Sequence, residues 1–201
     1  MLSYIKDFYS FKMFESEDIS DLQDKWNFHS IPDENNNYRS SQMPLHILPK
    51  ILKKNQIKAI IRLNWNGNDG RHYDNQDPVD IEDEKKLAES NGVDFHKLSS
   101  DDPEDQNAIN QFLKGGNCLV HCAHGADRTG GAVGGYLKTV KPNKNLLTTG
   151  QIWDYTTKYN NWNSILNEDP KNFKEDYYLG QAKKFGVKDL DHAIKLAKKY
   201  K

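Results

Sequence analysis

Apolar residues recur along this chain in two rhythms. The stretch Ile57-Lys58-Ala59-Ile60-Ile61-Arg62-Leu63 is β-branched and apolar, of the length of a buried strand. Val93-Asp94-Phe95-His96-Lys97-Leu98 alternates as a strand does, Asn117-Cys118-Leu119-Val120-His121 is another such run, and Tyr38-Arg39-Ser40-Ser41 is a shorter candidate. Between them the spacing turns helical. Leu45, Leu48, Ile51 and Leu52 share one helical face, with Pro44 suited to a helix start. Residues 80–91 begin acidic and close on Gly92, and residues 103–114 have Pro103 in their first turn. A further helix is predicted from about Arg128 to Lys138. Residues 148–200 read as mostly helical, with breaks near Asn167–Pro170 and at Gly186. Strands alternating with helices predict an α/β fold, a mostly parallel central sheet of about four or five strands flanked by helices.

The remainder of the pattern sets boundaries. Residues 1–37 are polar and aromatic with weak periodicity and read as an N-terminal arm holding at most one helix. Residues 64–79 form a long polar loop, of a length that is usually functional or disordered. The organisation expected is a single domain over residues 1–201, with a core at about 38–165 and a C-terminal helical extension at about 166–201. No run approaches the roughly 18 apolar residues of a membrane span. The start Met1-Leu2-Ser3-Tyr4-Ile5-Lys6-Asp7 is broken by charge too early for a secretory signal. A net charge of −1 and a pI of about 6.7 speak against a dedicated nucleic-acid binder. The two cysteines, Cys118 and Cys122, would sit about 13 Å apart along a strand, beyond the roughly 7 Å a disulfide spans. A reducing compartment follows, and the chain is expected to be cytoplasmic.

Chemistry concentrates in His121-Cys122-Ala123-His124-Gly125-Ala126-Asp127-Arg128-Thr129-Gly130, between the last core strand and a helix. A cysteine at a strand end facing a helix N-terminus is favoured as the thiolate by the helix dipole. A tight loop there aims successive N–H groups into one concavity, so Ala123, His124, Gly125, Ala126, Asp127 and Arg128 are the candidate phosphate binders. Gly125 allows backbone geometry closed to other residues. Arg128 can return to the mouth of the loop and grip two phosphoryl oxygens with its planar fork. Thr129 is placed to hydrogen-bond the Cys122 sulfur, and His121 to orient the loop from behind.

His-Cys-x5-Arg-Thr resembles the signature loop of the protein tyrosine phosphatase superfamily, and the flanking pattern over residues 38–140 is similar to its compact dual-specificity branch. The resemblance implies a phosphocysteine intermediate on Cys122, phosphate held by Arg128, and neither metal nor cofactor. It implies a general acid on a loop after the preceding strand, here Ser99-Ser100-Asp101-Asp102-Pro103-Glu104-Asp105. Asp102 is the first candidate and Asp101 the second; an Asp before Pro also commonly caps a helix. Two features depart from that branch. The stretch from the acidic loop to Cys122 is shorter than the family norm. Asp127, directly before the Arg, is similar to its counterpart in myotubularin-like lipid phosphatases and in some bacterial phosphatases, which makes it a further candidate acid.

The expected activity is therefore hydrolysis of a phosphomonoester, on a phosphorylated protein as tyrosine or dual-specificity phosphatase. The alternatives are a phosphoinositide or other small-molecule phosphatase, an RNA 5′-phosphatase, or a catalytically dead phosphate-binding module. Intact Cys122, Arg128 and Thr129 speak against the last. A metal cluster from His121, Cys122 and His124 lacks ligands from a second segment. Several side chains carry a plain reading beside a functional one. Cys118 reads as a buried strand residue. Arg71, His72 and Tyr73 could read a substrate or be solvated. Gln151 reads as a surface helix residue, with the attacking water as its other possible partner. Lys183, Lys184, Lys198, Lys199 and Lys201 read as a solvated face, and Trp153, Tyr155, Tyr159 and Trp162 as packing.

Overall fold

The computed structural model describes residues 25–63, 79–140, 147–173 and 175–200. Residues 1–24 of the N-terminal arm, residues 64–78 of the long polar loop with Arg71, His72 and Tyr73, and Lys201 lie outside the described residues. Five strands form one sheet in the order β1-β2-β5-β3-β4: β1 His29–Ser30, β2 Tyr38–Ser41, β3 Ala59–Arg62, β4 Asp94–Lys97 and β5 Cys118–Cys122. The β1–β2 pair is antiparallel and the others are parallel, which is the α/β sheet the pattern predicts. The helices are α1 Leu48–Lys54, α2 Ile81–Ser90, α3 Pro103–Gly115, α4 Asp127–Leu137, α5 Thr149–Thr157, α6 Trp162–Glu168, α7 Gly180–Lys183 and α8 Leu190–Lys199.

Side chains alternate across the pleat, so each central strand serves two cores. Ala59 and Ile61 of β3, and Cys118, Val120 and Cys122 of β5, face α3, α4 and the C-terminal helices, among Ile109, Val133, Trp153, Trp162 and Phe185. Ile60 and Leu119 face the opposite side, among Leu48, Ile51 and Leu52 of α1 and Ala88 of α2. All five residues of β5 are buried, as a strand covered on both faces should be.

Local chemistry sets the ends of these elements. Asp80 caps α2 by accepting the Glu82 N–H at 2.8 Å, and Asp102 caps α3 with Pro103 in the first turn. The helix expected from Leu45 begins only at Leu48. Pro49 stands in its first turn, and Pro44 belongs to the turn before it. The break at Gly186 is a left-handed glycine with φ +100°.

β5 enters the sheet last and lies between β2 and β3. Its carboxyl end, Cys122, is therefore flanked by Ser41 at the end of β2, and the neighbouring His121 pairs with Arg62 at the end of β3. Ligands of such sheets bind beyond these strand ends.

Candidate active site

Cys122 ends β5 and is almost fully buried, and α4 begins five residues later at Asp127. The intervening loop is held by its carbonyls, each from outside the loop. The Gln42 N–H donates to the Ala123 carbonyl at 3.2 Å. The Asn27 amide donates to the carbonyls of His124 at 3.2 Å and Gly125 at 3.1 Å. Arg39 Nη2 donates to the Gly125 carbonyl at 2.6 Å and lies 3.5 Å from that of Ala126, which also takes the Gly130 N–H at 2.7 Å. In a trans peptide C=O and N–H point in opposite directions, and no cis bond occurs among the described residues. The N–H groups of His124, Gly125, Ala126 and Asp127 therefore point away from the partners of these carbonyls. Gly125 has φ +63°, and a Cβ there would fall on the backbone of Ser40 and Ser41. Glycine is thus required twice, for its backbone angle and for the close approach to β2.

Behind Cys122 lies a buried charge network. His121 Nε2 is 3.0 Å from Glu84 Oε1, and Arg62 Nη1 is 2.7 Å from Glu84 Oε2. Burial works against ionisation of Glu84, but His121 and Arg62 outweigh it and hold the carboxyl below its ordinary range. Arg62 Nη2 also donates to the Val79 carbonyl at 2.9 Å, tying the end of β3 to the start of α2.

The candidate acids occupy three different settings. Asp102 is exposed, and its Oδ1 accepts the N–H groups of Glu104 at 2.7 Å and Asp105 at 3.3 Å. Asp101 Oδ1 accepts from Gln181 Nε2 at 2.7 Å and from Lys184 Nζ at 3.1 Å. Burial opposes its ionisation, yet Lys184, Gln181 and the charge of Arg128 together hold the Asp101 carboxyl below its ordinary range. Asp127 stands in the first turn of α4, where its Oδ1 accepts the Trp162 indole N–H at 2.7 Å. Arg128 is half-buried, close enough to act electrostatically on both Asp101 and Tyr177.

Some expectations change. Thr129 is fully buried, but its hydroxyl has no hydrogen-bond partner, so the bond expected to the Cys122 sulfur is not made in this arrangement. Gln151 completes a capping box with Thr148, which occupies its side chain. Lys184, expected on a solvated face, is only 18% exposed and pairs with Asp101, because its helix packs against the acidic loop. Trp153 and Trp162 are fully buried packing residues, while Tyr155 and Tyr159 lie over Arg39. Cys118 is buried, and burial, then Asp33, push its thiol up to about 12. Both cysteines are free.

Other residues at the site had no visible role in the sequence. Arg39, one of four arginines, was the most legible, as a charge inside a strand pattern. Glu84, Asn27, Gln42 and Gln181 carry no pattern of their own. Tyr177 lies on the π-turn Glu175–Leu179. Burial, then the Asp127 carboxylate, push its hydroxyl up to about 12, with Cys122 adding to the rise and Arg128 opposing it. A π-turn frequently marks a functional site, and nothing in the residue pattern announces one.

No family model matches the sequence, and no curated protein does. Solved structures are similar in fold. A protein from Shewanella putrefaciens CN-32, assigned to DUF442 as a candidate phosphatase, is 20% identical over 85% of this chain and 95% of its own, with a TM-score of 0.54. The catalytic core of Siw14, a PP-IP phosphatase of S. cerevisiae, is 16% identical over 86% of this chain and 90% of its own, with a TM-score of 0.50.

Proposed function

From the fold of the protein tyrosine phosphatase superfamily, in its compact dual-specificity-like form, we propose that this chain is a cysteine-dependent phosphomonoester hydrolase. The observation that carries the reading is the loop after Cys122. Its carbonyls at Ala123, His124, Gly125 and Ala126 are all held from outside, which leaves four successive N–H groups turned inward. Such a loop suits a phosphoryl dianion, with Arg128 closing the cradle through its planar fork.

In this reading Cys122 attacks phosphorus as the thiolate. The S–P bond forms as the P–O bond to the leaving group breaks, and a carboxylic acid on the Asp101–Asp102 loop gives the leaving oxygen its proton. Water then attacks the phosphocysteine and passes a proton to the same carboxylate. The S–P bond breaks, and the thiolate and inorganic phosphate are released. Asp102 is the acid we assign first, because its carboxylate accepts backbone N–H groups, whereas that of Asp101 is paired with Lys184 and Gln181. The unpartnered Thr129 hydroxyl is available to the sulfur as it leaves. The substrate we assign is a phosphorylated protein side chain, phosphotyrosine first.

The test is hydrolysis of an aryl phosphate in EDTA, with acid-quench trapping of phosphate on Cys122. Activity should persist in EDTA and be abolished by vanadate. Cys122→Ser should stop turnover but still bind phosphate through the backbone, and Arg128→Lys should lose most of kcat/KM. Activity lost to chelation and restored by a metal, or near-normal turnover in Arg128→Lys, would overturn the reading. Comparing kcat/KM on phosphopeptides, phosphoinositides and 5′-triphosphate RNA tests the substrate assignment, and preference for either of the last two overturns it.

A further inference from the structure

Arg39 is fully buried and its charge is poorly matched. Among the described residues no carboxylate lies within salt-bridge distance of it, and its Nε and Nη1 meet no acceptor in hydrogen-bond geometry. What it does have is the Gly125 carbonyl at 2.6 Å, the Ala126 carbonyl at 3.5 Å, and two aromatic faces. Its guanidinium carbon is 4.8 Å from the ring centre of Tyr159 and 5.7 Å from that of Tyr155. The Tyr155 hydroxyl donates to the Ser30 carbonyl at 3.1 Å, and its oxygen also lies within electrostatic reach of the Arg39 guanidinium.

A buried cation without a counter-ion costs several kcal/mol. Ring faces and carbonyl dipoles return part of that. The loop they support is the one that would take an anion, on the side opposite Arg39. Arg39 stands on β2 beside β5, two residues before Ser41, which pairs with Cys122.

We infer that Arg39 is a positioning residue of the phosphate loop: it fixes the Gly125 and Ala126 peptides from behind and sets a buried positive charge beneath the cradle, so that the cradle favours anions. This rests on the phosphatase reading. Two effects are then separable. The hydrogen bonds orient the N–H groups of Ala126 and Asp127, which needs a donor at the reach of Nη2. The charge favours any anion in the cradle, which needs only a cation.

The experiment measures alkylation of Cys122 by iodoacetate and by iodoacetamide, each with and without inorganic phosphate, alongside thermal melting. Iodoacetate is an anion and iodoacetamide is neutral, so the ratio of their rates reports anion selection; a loss of stability alone would change both rates alike. In wild-type protein the ratio should exceed that of a free thiol, and phosphate should protect Cys122. Arg39→Met should lower the ratio by about tenfold, the loss expected for a charge-assisted contact. Arg39→Lys should keep the ratio within about twofold but weaken phosphate protection by about tenfold, because the ammonium ends one bond short of the Nη2 position that reaches both carbonyls and lacks the guanidinium plane beside Tyr155 and Tyr159. If Arg39→Met does not fold, the lysine variant decides: unchanged phosphate protection in it overturns the inference. Unchanged ratio and protection in both folded variants overturn it equally. Wild-type Cys122 left unprotected by phosphate would instead overturn the phosphatase reading, and this inference with it.

Discussion

Glu84 Oε1 lies 3.0 Å from Nε2 of His121, the residue directly before Cys122, while its other oxygen holds Arg62 at 2.7 Å. A carboxylate on α2 thus links the ends of two core strands from beneath the site. The three side chains are buried, so removing the Glu84 carboxylate takes away the anion that faces the buried Arg62 guanidinium.

Glu84→Gln should destabilise the protein by about 3–5 kcal/mol, the usual cost of breaking a buried pair. The pH dependence has a definite sign. The folded-state carboxyl is held below its ordinary value of 4.5, so its contribution is complete above that value. It is lost as pH falls through the lower, folded-state value. Melting temperature measured against pH should therefore fall steeply on the acid side in the parent protein and more gently in Glu84→Gln. Parallel curves would contradict the network.

Gly125→Ala should retain a cooperative melt but lose about a hundredfold or more in kcat/KM, since a small misplacement of the cradle has that scale of effect. The cause is the φ of +63° and the Cβ that would meet the backbone of Ser40 and Ser41. Near-normal kinetics in this variant would mean that the loop's contact with β2 does not set the nest.

Cys122 should be oxidised by peroxide well before Cys118. Burial and Asp33 hold the Cys118 thiol at about 12, so it is not a thiolate at any physiological pH, and the thiolate is the reactive form. Its Sγ is also engaged with the Phe112 carbonyl at 3.2 Å. Peptide mass spectrometry over a peroxide time course checks the order, and earlier modification of Cys118 would refute it.

Asp102→Asn should reduce turnover of poor leaving groups such as phenyl phosphate by about 10²–10⁴, the range for general acid catalysis, and spare leaving groups that are already acidic. It should also flatten the alkaline limb of the kcat/KM profile. Asp127→Asn should cause a modest loss that is the same for all leaving groups, because the amide oxygen can still accept the Trp162 N–H. The reverse pattern would move the acid to Asp127. Leaving-group dependence confined to Asp101→Asn would mean that Lys184 releases Asp101 during turnover.

The periodicity of residues 57–63 and 117–121, the caps at Asp80 and Asp102, and the spacing from Cys122 to Arg128 all depend on neighbours along the chain. Strand, helix and loop are local outcomes of side-chain alternation and backbone preference, so these were legible without coordinates. The same holds for Gly125, whose need for a positive φ goes with a tight loop at a helix start. The supports of the site were not legible. Arg39 and Gly125 are 86 residues apart, Asn27 and His124 are 97, and Gln181 and Asp101 are 80. Each pair meets only because β5 enters the sheet last and inserts between β2 and β3, and because the C-terminal helices fold back over α4. A buried polar residue shows its purpose only through what it bonds to, and strand order is a non-local choice that no local pattern encodes. The sequence by itself therefore determined the spacing from Cys122 to Arg128, the loop between a strand and a helix, and the α/β elements. The tertiary structure alone decided which side chains hold that loop.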